Sequence, residues 1–196
     1  MISKSTIDAM ERARTVLLGI PKGAENVMRL AYNRALTTGR KTAVDAVYKG
    51  NKFRRGTKGE IKKTFSMRKA TRAEVSAELI SKGVRLPLHN YAHTPIADTT
   101  GSKDVRTKRK KKVRVQISRQ ASKHVIDKGF IHKGRIFRRL GAPRLPVQMQ
   151  FGPAIPQLLD KPIEREAVMV AMAEMAEKRI YHETTRLLER QAKKKR

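Results

Sequence analysis

The chain carries 46 Lys and Arg against 17 Asp and Glu over 196 residues, a formal charge of +29, and this surplus constrains what it can fold into more than any motif does. A compact state charged this heavily repels itself, so its neutralisation has to come from outside, from phosphates or from an acidic partner surface. The surplus is also unevenly placed. Between residues 49 and 146 there are 28 basic and 6 acidic residues, a net +22, whereas the two flanks together hold 18 and 11, a net +7. The middle of the chain is therefore the part expected to face a polyanion.

Several function classes drop out on composition. With no Cys, disulfides, zinc-thiolate sites and cysteine nucleophiles are excluded, and the chain suits assembly in a reducing cytoplasm. No apolar run approaches the roughly 18 residues that a membrane span needs, and the N-terminus has no apolar stretch of secretory type. Neither a membrane nor a secretion route is expected.

Hydrophobic spacing divides the chain into helical flanks and a strand-rich middle. Ile7, Met10, Ala13 and Leu17 recur at helical spacing behind Ser5 or Thr6 as a cap, predicting a helix over 5–19. Pro21 suits the first turn of the next helix, over 22–49, in which Val27, Leu30, Ala31, Ala35, Val44 and Val47 form the apolar stripe and Gly39 is a candidate kink. Thr57-Lys58-Gly59-Glu60 reads as a capping box for a short helix. The period then changes to two. Val75, Ala77 and Leu79, then Val84, Leu86 and Leu88, predict a hairpin turning at Lys82-Gly83, with Pro87 at an edge. Val113 to Ser118, Arg135 to Leu140 and Val147 to Phe151 supply further strands. A last helix over 162–190 places Met169, Ala173, Ala176, Ile180, Thr184 and Leu187 on one face, ahead of a basic tail at 193–196. The expected fold is one α+β domain over 1–192. Its strand region, about 73–151, makes a mainly antiparallel sheet of about five strands, packed by the long N-terminal-half helix and the C-terminal helix, with basic extended loops.

Two of those loops carry the candidate binding residues. Lys52, Arg54 and Arg55 surround Phe53, and Lys103 and Arg106 lead into the run Lys108, Arg109, Lys110, Lys111 and Lys112. Each phosphate such cations neutralise releases counterions, which makes binding salt-sensitive and indifferent to base sequence. The bland alternative is a solvated loop or a subunit contact. Phe53 could stack on a base, but aromatic residues make up only 5% of the chain, and a buried or interface ring is the favoured reading because stacking platforms use several rings. His89 and His93 are spaced for a helical metal pair, yet Pro87 and Pro95 bracket them and no third ligand is evident, so no metal is expected. There is no nucleophile elbow and no phosphate-cradling glycine loop. Gly129, Gly134 and Gly141 read as turns. Neither an enzyme, nor a cofactor, nor a small-molecule substrate is expected.

The helix from Ala24 to Leu36 (AENVMRLAYNRAL), the segment from Lys62 to Thr71 (KKTFSMRKAT) and Phe130-Ile131 together resemble the minor tail protein Z family of long-tailed bacteriophages, the tail completion proteins. The resemblance follows most of the chain in order and in basic character, and its motifs are soft ones without a catalytic signature. It implies a virion component of the tail or neck, assembled in the host cytoplasm. Such a component forms a ring with copies of itself, typically sixfold, between the tail tube and the terminator or neck proteins, with DNA in the lumen. The alternative is a ribosomal or other RNA-binding structural protein, which high basicity and an absence of Cys would fit equally. The retained strand alternation and amphipathic helices favour the former over a protein threaded through folded RNA.

Overall fold

The computed structural model describes residues 4–18, 20, 22–95, 112–141, 143 and 145–194. The class is α+β. The elements are, in order, α1 (Lys4–Val16), α2 (Gly23–Gly50), α3 (Lys58–Lys63), β1 (Phe65–Arg68), β2 (Glu78–Ser81), β3 (Arg85–Pro87), a 3-10 turn (Leu88–Asn90), β4 (Ala92–Thr94), β5 (Val113–Gln116), β6 (His124–Ile126), β7 (Gly129–His132), β8 (Arg135–Arg139), β9 (Val147–Met149), β10 (Phe151–Ala154), α4 (Ile155–Leu159) and α5 (Pro162–Lys194). The chain divides into two compact units, each assembled from separate stretches of sequence. One comprises Met1–Ala46, Phe65–Ser81 and Asp160–Arg196, and the other Val47–Thr64 and Lys82–Leu159.

The first unit is the helical one. The apolar stripes read from the sequence meet in a cluster of Ala13 and Leu17 from α1 and its end, Val27 and Ala31 from α2, and Ile180 from α5, all nearly free of solvent, whereas Ile7 and Leu30, placed in those stripes, are exposed. On α5 the buried stripe runs through Val168, Ala176, Ile180 and Glu183, so that Met169, expected inside, is exposed and its neighbour Val168 takes the inward place. Gly39 does not end the helix: α2 continues through it, and Met172 of α5 lies where a Cβ would stand. Asn33 of α2 pairs with the backbone of Ala70 in both directions, its Nδ2 donating to the carbonyl at 3.0 Å and its Oδ1 accepting from the N–H at 2.8 Å. A single amide side chain thereby anchors the segment after β1. Glu183, buried on α5, is met by Arg179 at 3.0 Å and Arg186 at 3.4 Å, the internal pairing that a buried carboxylate requires.

The expected single sheet of about five strands is not what forms. Among the described residues there are four small antiparallel sheets, ordered β1-β2, β10-β3, β4-β5-β6 and β7-β8-β9. Strands of three to five residues, punctuated by Pro87, Pro95, Gly134, Pro146 and Pro153, are too short to extend one ladder. The predicted 75–88 hairpin is also replaced. β2 pairs with β1, setting Leu79 opposite Met67 and Ser81 opposite the buried Phe65, while β3 pairs with β10. Tertiary partners that bury apolar side chains outweigh the local Lys82-Gly83 turn. The Gly134 turn is as expected: Lys133 and Gly134 both have positive φ, 49° and 71°, the mirror-image turn that a two-residue hairpin between β7 and β8 demands. Among the described residues no helix is long and apolar enough to cross a membrane.

Candidate nucleic-acid interface

The division into two units keeps the charge asymmetry seen along the sequence. The second unit holds 25 basic and 4 acidic residues, a net +21, and the first 21 and 13, a net +8. Four carboxylates cannot serve 25 cations, so most of the second unit's positive charge has no internal counter-ion by number alone. In the first unit, by contrast, acids are at hand, as in Arg68–Glu74 at 2.9 Å and the Glu183 cluster.

The loop bearing Lys52, Arg54 and Arg55 is held by its backbone. Where α2 ends, Asn51 turns its side-chain N–H onto the Val47 carbonyl at 2.9 Å and bridges to Ser118. Lys52 donates to the Ile117 carbonyl at 2.7 Å and accepts from Ala92 at 2.8 Å, and Arg54 donates to the Asn90 carbonyl at 2.8 Å. The segment is therefore an added extended strand whose alternation turns Phe53 inward and leaves Lys52 and Arg54 exposed, with Arg55 exposed beyond them.

Phe53 belongs to the scaffold, as favoured. Its ring lies between Tyr48 (centroids 5.9 Å apart, planes 12° apart) and Tyr91 (4.9 Å, 27°). Tyr91 is fully buried, and its hydroxyl donates to the Pro153 carbonyl at 2.9 Å. Burial holds that hydroxyl's pKa well above the ordinary tyrosine range. Gly152 also packs against the Tyr91 ring: a Cβ there would lie 2.5 Å from Tyr91 Cε2. Two rings do accompany Phe53, contrary to the reading of an isolated aromatic. Tyr48 was near enough in sequence to signal this, whereas Tyr91 comes from a remote strand end.

The capping box predicted at Thr57 also resolves differently. The Thr57 hydroxyl donates to the Asn90 carbonyl at 3.3 Å, and Glu60 accepts from the Asn90 side chain at 2.7 Å. Both side chains are spent on fixing the 3-10 turn, and the N-cap of α3 makes no side-chain bond.

Of the second basic run, Lys112 is exposed at the start of β5, where Val113 and Val115 are buried and Arg114 is exposed between them. Arg114 lies opposite Thr94 on β4 and Val125 on β6, so Lys112 and Arg114 share the outer face of that sheet. Lys103, Arg106, Lys108, Arg109, Lys110 and Lys111 lie outside the described residues. Sequence reasoning passed over Arg114, Arg135 and Arg139. Strand alternation in β5 and β8 places them on outer faces, and for Arg114 the alternation read along β5 was the signal available.

The two histidines do not share a helix face. His93 is buried on β4, its Nδ1 donating to the Tyr91 carbonyl at 2.9 Å, and His89 sits in the 3-10 turn. Among the described residues no group of three or more side chains could hold a metal ion. Partial burial first, and then the nearby Arg135, lower the His89 pKa below its ordinary 6.5. A lowered histidine pKa means that the unfolded chain binds the proton more readily. His89 therefore contributes stability that is fully present above about pH 6.5 and is lost as the pH falls below it. The urea midpoint of the wild type should drop between about pH 7.5 and 5.5 by more than that of His89→Gln, and equal drops would remove His89 as a cause.

No family model, curated protein or solved structure matches this chain.

Proposed function

We propose that this chain is a non-catalytic structural protein that turns its second unit toward nucleic acid, and that its place is the one its family resemblance implies. That place is the head-proximal end of a long phage tail, in the virion, as a ring of copies between the tail tube and the terminator or neck proteins, with DNA in the lumen. The observation carrying the nucleic-acid side of this reading is the segregation of charge, 25 basic against 4 acidic residues in one unit. A surface with that imbalance is stable in assembled form only beside a polyanion. The exposed Lys52, Arg54, Lys112 and Arg114, turned outward by strand alternation, and Arg55 in the turn that follows are suited to phosphates and carry no base code.

The mass of the full chain, measured by light scattering at low and high salt with and without linear duplex DNA and purified tail tubes, tests the reading. The expected result is a discrete closed oligomer, formed alone or on tubes. A chain that stays monomeric under all of these conditions and binds structured RNA tightly at physiological salt would instead establish the RNA-binding alternative.

A further inference from the structure

One face of the β7-β8-β9 sheet combines aromatic rings and cations in a way the charge count alone does not explain. Phe130 and Phe137 are direct cross-strand partners, and their rings stack with centroids 5.8 Å apart and planes 24° apart. The Arg139 guanidinium lies 5.1 Å from the Phe130 ring centroid. Strand alternation puts Arg135, Phe137 and Arg139 on the same face of β8, and the β8-β9 register sets Met149 opposite Phe137. The reverse face carries Ile131 and Ile136, both fully buried, so it is the core side and the phenylalanine face looks outward. The two rings are only half-buried, and Arg135 and Lys128 at the margin are exposed. Beyond Met149 the apolar strip continues into Phe151, 48% exposed.

Two stacked rings left partly open to solvent beside cations offer an apolar surface to an occupant. Phe53, the aromatic residue the sequence singled out, already stacks with both Tyr48 and Tyr91. Charge decides the occupant: in a unit with 25 cations and 4 carboxylates, the ligand that complements both the rings and their basic margin is an anion with flat apolar faces. Unpaired nucleobases on a phosphodiester strand fit that description, whereas a duplex hides its base faces.

We propose that the Phe130–Phe137 face binds single-stranded nucleic acid, with bases stacking on the two rings, Arg139 adding its own planar cation, and Arg135 and Lys128 holding phosphates. This deepens, and rests on, the reading that the second unit faces nucleic acid.

The test is binding of labelled oligo(dT), about 20 nucleotides long to exceed one site, and of a duplex of similar length, to the full chain and to a Phe130→Leu/Phe137→Leu variant. Leucine keeps the apolar contacts and removes the π face. Stacking is worth about 1–3 kcal/mol per base, so oligo(dT) affinity should fall about tenfold or more with its salt dependence unchanged, while duplex affinity stays within about twofold. An Arg139→Gln variant, which spares the core, should weaken oligo(dT) binding in the same selective way and covers the case in which the double variant melts early. Unchanged oligo(dT) affinity, or equal loss for duplex and single strand, overturns the stacking platform. So does a change in oligomer mass with affinity intact, which would make the face a subunit contact. In these outcomes salt-sensitive duplex binding by the wild type leaves the broader reading standing. Only a wild-type chain that binds neither probe removes both.

Discussion

Replacing Tyr91 with alanine should cost about 3–5 kcal/mol of folding stability, the range for deleting a buried aromatic ring. Tyr91 is fully buried, stacks on Phe53 at 4.9 Å, packs against Gly152 and donates to the Pro153 carbonyl. Its removal opens a cavity between the segments that carry Phe53, Gly152 and Pro153. The conservative Tyr91→Phe keeps the ring and loses only the hydroxyl, leaving the Pro153 carbonyl short of a donor, and should cost about 1 kcal/mol. Urea denaturation of the three proteins checks the order. If alanine and phenylalanine variants were equally destabilised, the hydrogen bond and not the ring stack would be what organises the second unit. The stack also supports the basic loop, because the Lys52–Arg54 backbone is bonded to the strand ends on either side of Tyr91.

The second large effect concerns binding. Changing Lys52, Arg54, Arg55, Lys112 and Arg114 together to glutamine should lower duplex DNA affinity about a hundredfold at moderate salt. It should also flatten the dependence of log K on log salt by about 1 for each side chain that meets a phosphate. All five side chains are exposed, so the fold should tolerate the change, with differences in stability within about 0.5 kcal/mol per site. Fluorescence anisotropy over a salt series separates the two quantities. An affinity loss with an unchanged slope would mean that the substitutions act on something other than phosphate contacts.

The helices were legible because their information is local. On α2, Val27 and Ala31 lie four residues apart and Val44 and Val47 three apart, the spacings of neighbours on a helix face, and all four are buried. Strand β5 was legible for the same reason, with period two. What the sequence could not disclose is pairing. β2 and β3 look like the two arms of a hairpin, yet β2 lies against β1 and β3 against β10, pairings that go with the burial of Phe65 on β1 and Ala154 on β10. The capping box at Thr57 failed similarly, because Asn90, remote in sequence, offered both of its polar side chains a partner. Of the candidate site, the basic loops could be read from composition. The stack around Phe53 and the paired rings of Phe130 and Phe137 depend on register, which one residue's slip would invert. Composition along the chain located the charge, and the fold keeps it in one unit.

The measurement that bears most directly on this account is a comparison of two variants carrying the same loss of charge. One neutralises Lys52, Arg54, Arg55, Lys112 and Arg114 in the second unit, and the other neutralises Lys4, Arg12, Arg34, Lys41 and Arg72, exposed cations of the first, all to glutamine. With duplex DNA over a salt series, the account predicts that the second-unit variant loses affinity about a hundredfold and has the flatter salt slope, while the first-unit variant stays within about threefold of the wild type. Equal losses in the two variants would contradict it, because binding would then follow net charge and no particular surface of this protein would be turned toward nucleic acid.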